Sequence, residues 1–559
     1  MTAFDWDGRV VRYPADRARR YRESGEWSDL PISARLHESA LRQGDRPALI
    51  TAEGALTYRE LDERTDRIAA GLRSLGLRRL DPVLFQSTNR TAIVLAWYGC
   101  LKAGLVPVAT LAQHRMHEIG HISRKVGAAA HLVEAGLGFD LVAFARQVAE
   151  GHPTLRTVLT VGAAEGTHRI EDLGAGIDPA RARAFVESVE AETDPQDVAV
   201  FQLSGGTTGV PKVIPRIHAE YWNNALLYAQ ALGWDAGTRL AHLIPVIHNA
   251  GISCALHAAH SVGATLVLAN PDHVAAFALM AEHGVTDVLI GHGHYQALRS
   301  AEFDAVLPTV RRTVLSGAKV PPDVFRRVDD GETRWAGQMF GMSEGMFLAS
   351  RAGDPEALRT TTVGTPIAPS DEVRILEPGT ETEVPDGAVG ELCCRGPYTI
   401  PGYFDAPEHN AVAFTSDGFY RTGDLAAVHA VDGRRHVSIE GRIKDLINRG
   451  GEKVNAEEVE VLLMKHPDVA IASVVAMPDA RLGEKACAFL VSATGQTLTM
   501  PEVQRHLDGL GVAKFKWPER LVWVPELPKT NVGKIDKKRL RADAAAPLAT
   551  GPTPQGAGA

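Results

Sequence analysis

The chain has 559 residues, too long for a single hydrophobic core and enough for about two to four domains. With 45% hydrophobic and 23% charged residues and a net charge of −9, the composition is that of a soluble globular protein. It excludes a general binder of nucleic acid or anionic membrane, which would present a basic face. From about residue 45, short apolar runs alternate with amphipathic stretches. "PALIT", "PVLFQST", "LVPVAT", "VAVFQLS", "RLAHLIPVI", "ATLVLAN", "TDVLIGH" and "RTVLSGA" are strand-like, and "YRELDERTDRIAAGLRSLG" is helical in its spacing. The alternation predicts α/β layers with largely parallel strands, and hence ligand sites in the loops at strand ends. The most apolar stretch, Thr91 to Ala112, contains Lys102, Gly104 and Pro107, so a core helix followed by a core strand is expected there rather than a membrane span.

After about residue 365 turn residues and short strands take over, predicting a β-rich subdomain. From Gly441 the charge density rises, and a small α+β domain is expected. The organisation read from the sequence is a large α/β N-terminal domain over 1–441, built of several subdomains. A hinge over 442–445, a small mobile α+β C-terminal domain over 446–543 and a disordered tail over 544–559 follow it. The first residues, "MTAFDWDGRVVRYP", are not those of a signal peptide. Cys100, Cys254, Cys393, Cys394 and Cys487 show no Cys-x-x-Cys spacing. Both features point to the cytoplasm.

Ser204 to Lys212, "SGGTTGVPK", leaves a strand-like run with exposed backbone N–H groups, two threonine hydroxyls and a lysine, the makings of an anion cradle. It is not a Walker loop, because Pro211 precedes Lys212 and Val213 follows it. "FGMSEG" (Phe340 to Gly345) sets Ser343 beside Glu344, a pair that would also serve as a helix cap. "GFYRTGD" ends in Asp424, a carboxylate suited to a ribose diol. "EGRIKDLINRGGEKV" and "PKTNVGKIDKKRL" are long enough to be specific.

In this order, from about residue 30 to residue 540, these segments resemble the adenylate-forming enzymes: acyl-CoA synthetases, luciferases and nonribosomal peptide adenylation domains. "FQLSGGTTGVPKVIPRIHAEY", "RGPYTIPGYFDAPEHNAVAFTSDGFYRTGD" and "INRGGEKVNAEEVE" narrow the resemblance to stand-alone aryl-acid–AMP ligases of the 2,3-dihydroxybenzoate and salicylate type. The resemblance implies ATP and Mg²⁺ as cofactors, a carboxylate attacking the α-phosphorus, and a loop that cradles the departing pyrophosphate. Ser204, Gly205, Gly206, Thr207, Thr208, Gly209 and Lys212 would form that cradle.

Further roles are implied residue by residue. Glu344 would ligate Mg²⁺, since a hard cation takes carboxylate oxygen, and Ser343 would meet the α-phosphate. Asp424 would hold the ribose hydroxyls and Arg442 would lie near ribose and phosphates. Gly317, Ala318, Phe340 and Gly341 would line the adenine. Lys534 would bridge the acyl carboxylate and the α-phosphate. Without the resemblance it reads as a solvated charge in a basic run. Asp445 would be the hinge about which the small domain turns. Gly450, Gly451 and Lys453 would then face the incoming phosphopantetheine thiol.

His248 and Asn249 match the family's His-Asn pair at the acyl pocket. His248 would count with Lys534, Ser343 and Glu344 among the catalytic residues, Asn249 would bind the acid's carboxylate or ortho-hydroxyl, and Gly317 would also border the acid. Ala250 stands where tyrosine is usual, which opens space for an acid bulkier than salicylate, such as a bicyclic or heteroaromatic one. Cys254 is a small, weakly polar wall that matches salicylate enzymes. Phe347 would fill part of the opened space. "GISCALHAA" also reads as an ordinary core helix.

The acceptor is expected to be a separate aryl carrier protein, in nonribosomal peptide or siderophore-type biosynthesis. An aryl-CoA ligase using free CoA is the alternative within the enzyme class, and a silent adenylate-binding scaffold the alternative outside it. Monomer and homodimer stay open. His114, His117 and His121 share one face of a predicted helix, without the carboxylates or cysteines of a zinc site. "GHGHY" (Gly291 to Tyr295) would border the acyl pocket, and Cys393 and Cys394 would alternate across a strand.

Overall fold

In the computed structural model, the residues described are 3–204, 211–450, 452–530 and 534–546, with only the backbone of Lys453. Gly205, Gly206, Thr207, Thr208, Gly209 and Gly451 lie outside them, as do the lysine side chain at 453 and most of the expected tail. The chain divides into two compact units. One comprises Met1–Arg374, Cys393–Arg421 and His429–Ser438, and the other comprises Ile375–Leu392, Thr422–Val428 and Ile439–Ala559.

The first unit opens with the strands β1 (Pro47–Thr51), β2 (Gly54–Thr57), β3 (Pro82–Gln86), β4 (Val106–Val108) and β5 (Ala130–Glu134). They are followed by β6 (Thr157–Val161), β7 (His168–Arg169), β8 (Val198–Leu203) and β9 (Val213–Ile217). Next come β10 (Arg239–His242), β11 (Thr265–Leu268), β12 (Asp287–Gly291), β13 (Arg312–Ser316), β14 (Trp335–Gly341), β15 (Phe347–Ala349) and β16 (Thr365–Pro366). Two sheets result, in the orders β16-β15-β14-β13-β12-β10-β11-β1-β2 and β7-β6-β5-β3-β4-β8-β9. The central pairs are parallel and antiparallel pairs stand at the edges, as between β8 and β9. Parallel strands covered on both faces read as near-continuous apolar runs, and β3 and β5 are buried along their whole length.

Local chemistry sets the helices. At the start of Tyr58–Ser74, Thr57 Oγ1 accepts from the Glu60 N–H (3.1 Å) and Glu60 accepts from the Thr57 N–H (2.9 Å), a capping box. Leu61, Thr65, Ile68, Ala69 and Leu72 then form its buried stripe. Thr91–Lys102 is a core helix followed by the core strand β4, as the sequence predicts. Among the described residues no helix is long and apolar enough to cross a membrane. Lys102 is fully buried and donates to Asp62 (2.6 Å) and Asp66 (2.5 Å), which neutralises its charge in the core. One expectation changes. The helix bearing His117 and His121 begins at Met116 because Arg115 is extended, so His114 stands outside it and its Nδ1 accepts from the Leu111 N–H (3.1 Å).

In the second unit, strands Leu446–Arg449, Glu452–Asn455, Val469–Asp479, Gly483–Ser492 and Arg520–Trp523 form one sheet. Ala456–Leu463, Met500–Gly509 and Lys537–Ala545 are its helices. Ile447, Val459, Leu463, Val474, Leu490 and Leu507 make its core. The strands expected after residue 365 are Glu372–Leu376, Gly390–Arg395, Tyr420–Val431 and Arg434–Arg442, divided between the two units. Cys393 and Cys394 are successive buried residues of the second of these.

Candidate functional site

The C-terminal ends of β8, β10, β12, β13 and β14 carry most of the sequence-selected residues of the first unit. Ser204 directly follows β8. Its hydroxyl accepts from the Lys212 N–H (3.0 Å) and its own N–H donates to the Lys212 carbonyl (3.0 Å), which ties the two ends of the glycine loop together. Lys212 Nζ stands 5.7 Å from the centre of the Tyr403 ring, a cation–π distance.

Ser343 and Glu344 follow β14 in a turn that two side chains anchor. Arg216, fully buried, forms a two-pronged pair with Glu220 (2.7 and 2.5 Å) and donates from Nη1 to the Ser343 carbonyl (2.9 Å). Burial works against the Arg216 charge and Glu220 outweighs it, so the guanidinium is held above its usual range. Glu344 is 7% exposed, and its Oε1 accepts from the Tyr403 hydroxyl (2.6 Å). Since Tyr403 spends its proton there, its contact with the Tyr420 hydroxyl (2.8 Å) has Tyr420 donating. Among the described residues Glu344 makes no ion pair. Gly345 closes the turn at φ +137°, where a Cβ would lie 1.6 Å from the Tyr398 carbonyl oxygen.

Gly317 and Ala318 follow β13, and the Tyr295 hydroxyl spans the Ser316 and Ala318 carbonyls (3.2 and 3.3 Å). Gly317 has φ +96°, and a Cβ there would meet His292 Nδ1 at 2.8 Å. Thus His292 of "GHGHY" packs against the backbone expected to line adenine. Phe340 and Gly341 end β14. Phe347 is buried on β15, with its ring against Gly341 and edge-on to Tyr228 at 5.8 Å. The Tyr228 hydroxyl donates to Met339 Sδ (3.3 Å).

The His-Asn segment follows β10. His248 Nδ1 caps a short helical turn by accepting from the Ala250 N–H (3.3 Å). Asn249 is 4% exposed. Its Oδ1 accepts from the Tyr221 hydroxyl (2.9 Å) and from Ser253 Oγ (3.3 Å), and its Nδ2 donates to the Met342 carbonyl (3.3 Å). The next turn departs from an ordinary core helix. Ile252–Leu256 is a π-turn in which the His257 N–H reaches the Ile252 carbonyl, a geometry enriched at functional sites. Cys254 lies within it, fully buried, and burial pushes its thiol well above the usual range. Ala250 is only partly buried and packs against the main core. Nearby His242 and His257 are buried and held neutral, burial lowering each pKa to about 3.

The second unit carries the remaining charged residues. Asp424, 4% exposed, pairs with Arg442 Nε at 2.7 Å. Lys534 keeps part of its surface open to solvent. Desolvation by the surrounding chain, then Arg442 and Lys444, hold its ammonium below the usual lysine range, with Asp424 opposing them. Asp445 pairs with Arg541 and lies 3.9 Å from Lys537 Nζ. Gly450 turns at φ +61° and donates to the Leu482 carbonyl (2.8 Å). The structure therefore groups Asp424, Arg442 and Lys534 within one unit and Ser343, Glu344 and Asn249 within the other. The residues that sequence reasoning missed are the holders: Arg216, Tyr221, Tyr403 and Tyr420. All four lie inside quoted motifs, Arg216 and Tyr221 in "FQLSGGTTGVPKVIPRIHAEY" and Tyr403 and Tyr420 in "RGPYTIPGYFDAPEHNAVAFTSDGFYRTGD", but nothing in those motifs marked them as holders.

Comparison with known proteins agrees along the whole chain. The family profile described as AMP-binding enzyme matches residues 36–404, and that described as AMP-binding enzyme C-terminal domain matches residues 458–534. A salicylyl-CoA synthase / salicylate adenylyltransferase of a Streptomyces species is 39% identical over 542 residues, 95% of this chain and 97% of that protein. A salicyl-AMP ligase / salicyl-S-ArCP synthetase of Mycobacterium tuberculosis is 40% identical over 558 residues, covering 98% of this chain and 96% of its own. The apo structure of Mycobacterium smegmatis MbtA superposes with a TM-score of 0.70 at 37% identity, over 97% of this chain and 100% of that one.

Proposed function

The chain belongs to the AMP-binding enzymes, an ATP-dependent adenylating family, and from that premise we propose that it activates an aryl or heteroaryl acid with an ortho-hydroxyl and passes it to a carrier protein. The acid's carboxylate attacks the α-phosphorus of ATP, pyrophosphate leaves, and the aryl-adenylate forms. A phosphopantetheine thiol then attacks the acyl carbon and AMP leaves. The observation that carries the reading is the bond from Asn249 Nδ2 to the carbonyl of Met342, the residue before Ser343. An amide suited to an acid thereby sits beside the Ser343–Glu344 turn assigned to phosphate and metal.

In this reading Lys212 and the glycine loop receive the β- and γ-phosphates, and Ser343 receives the α-phosphate. Asp424 and Arg442 hold the ribose, and Gly317, Ala318, Phe340 and Gly341 line the adenine. Glu344 fits a hard divalent cation, being a nearly buried carboxylate oriented by Tyr403 and without a basic partner among the described residues. A Mg²⁺ held by Glu344 would supply screening of the triphosphate charge. Lys534 brings a cation to two anions that repel one another. Asp445 is the hinge ahead of a C-terminal domain over 446–543, and Gly450, Gly451 and Lys453 face the thiol arm.

Ala250 leaves room that a tyrosine would fill, so the acid is salicylate-like or bulkier, of the 3-hydroxyquinaldate kind with its hydroxyl ortho to the carboxylate. Cys254 offers no partner for a 3-hydroxyl. Acid-dependent ATP–pyrophosphate exchange tests the reading on benzoate, salicylate, 2,3-dihydroxybenzoate, 3-hydroxyanthranilate, 3-hydroxypicolinate and 3-hydroxyquinaldate. Exchange is expected with ortho-hydroxy acids and strongest with a bicyclic one; no exchange with any of them overturns it. Thioester formation with a holo-carrier, compared with free CoA, decides the acceptor.

A further inference from the structure

Asn249 does not hold its own orientation, and the donors around it show what does. Gln202 Nε2, on β8 and 2% exposed, donates to the Tyr221 hydroxyl oxygen (2.8 Å), and the Tyr221 hydroxyl is in contact with Asn249 Oδ1 (2.9 Å). A phenol has a single proton. With the Gln202 amide pointed at its oxygen, that proton goes to Asn249, which must therefore offer its carbonyl oxygen on this side. The Met342 carbonyl on the other side only accepts, so it takes a hydrogen of Nδ2. One Nδ2 hydrogen has no acceptor in this network. The Tyr221 ring is itself clamped, by the Arg216 guanidinium 4.7 Å from its centre and by His257 edge-on at 5.5 Å.

We propose that Tyr221 is a positioning residue for the aryl acid: backed by Gln202, its hydroxyl fixes the amide of Asn249 so that an N–H, not the oxygen, is presented to the substrate. This rests on the assignment of Asn249 to the acid pocket. It also ties that pocket to the strand that feeds the phosphate loop, because Gln202 lies two residues before Ser204.

The test is steady-state ATP–pyrophosphate exchange with the acid varied and then ATP varied, for wild type, Tyr221→Phe, Gln202→Leu and Asn249→Ala. Losing the hydroxyl leaves the buried Asn249 oxygen with only the longer donation from Ser253 Oγ (3.3 Å), a hydroxyl that accepts as readily as it donates. The amide is then free to turn over, which corresponds to about a tenfold rise in KM for the acid. The KM for ATP and the thermal midpoint are expected to stay near wild type. Gln202→Leu is expected to raise the acid KM less, because the tyrosine proton keeps Asn249 as its acceptor. The proposal is overturned if Tyr221→Phe leaves the acid KM unchanged. It is equally overturned if that variant raises both KM values together, or if Gln202→Leu matches or exceeds it, since any of these marks a packing role. Asn249→Ala separates the two claims. If it too leaves the acid KM unchanged, the pocket assignment fails; if it raises the acid KM and Tyr221→Phe does not, the positioning claim alone fails.

Discussion

Arg216 is the residue whose loss the structure prices most clearly. It is wholly buried, with one prong pair on Glu220 and two further donations, to the Ser343 carbonyl (2.9 Å) and the Tyr398 carbonyl (3.3 Å). Arg216→Met strands the Glu220 carboxylate in the core, and breaking a buried pair from one side costs about 3–5 kcal/mol. Burial already raises the Glu220 pKa and Arg216 only partly counters it. In the variant the folded state therefore binds a proton more readily than the unfolded state. Folding is helped below the raised folded-state pKa and loses that help as pH rises through it, so the deficit is larger near about pH 8 than near about pH 5. Replacing both partners, as Arg216→Met/Glu220→Leu, removes the stranded charge but leaves the two carbonyls and the Ile217 N–H, which donates to Glu220 (3.3 Å), without those partners, a residual deficit of about 1–3 kcal/mol. Urea unfolding followed by tryptophan fluorescence, at both pH values, reads these differences. A single variant within about 1 kcal/mol of wild type, or a double variant no better than the single, would refute the reasoning.

Lys534→Ala is expected to slow ATP–pyrophosphate exchange about a thousandfold, since a lysine about 4 Å from an anion is worth roughly 4 kcal/mol at an effective dielectric of 20. Thioester formation from preformed aryl-adenylate should survive, and equal loss of both steps would contradict the role. Because the Lys534 pKa is lowered, its cation is lost as pH rises, and exchange should fall on the alkaline side earlier than an ordinary lysine allows; a flat alkaline limb in a pH–rate profile contradicts this. Ala250→Tyr should cut kcat/KM for bicyclic acids by about 5- to 100-fold through overpacking while sparing salicylate, measured by exchange on the same panel. All five cysteines are buried, so iodoacetamide at about pH 8 should label none in the native protein and all five in urea, as counted by intact mass; rapid native labelling of Cys254 would refute its burial.

Much of the scaffold was legible because its physics is local. Inner runs such as Ala48–Ile50 and Val288–Ile290 are apolar without a break, which is how parallel strands covered on both faces read. The helix Tyr58–Ser74 announced itself through its amphipathic spacing, and the Thr57–Glu60 capping box seen in the structure fixes its start. The π-turn at Ile252–Leu256 was not legible, because one extra residue in a turn hardly disturbs a 3.6-residue apolar period. Ser343, Glu344 and Asn249 stood out as motif residues, yet nothing local marked what holds them. Arg216 meets Ser343 from 127 positions away and Tyr403 meets Glu344 from 59 away. Such pairings are set by sheet topology, which a linear reading sees only as a list of strands.

A single-turnover reaction with the acid and ATP labelled at either the α- or the γ-phosphorus, quenched and resolved by chromatography, tests the central claim most directly. The account predicts that α-label appears in aryl-adenylate and γ-label in pyrophosphate, both dependent on an ortho-hydroxy aryl acid and both lost in Lys534→Ala. Label from the γ-position in inorganic phosphate, with ADP as the partner product, would contradict it.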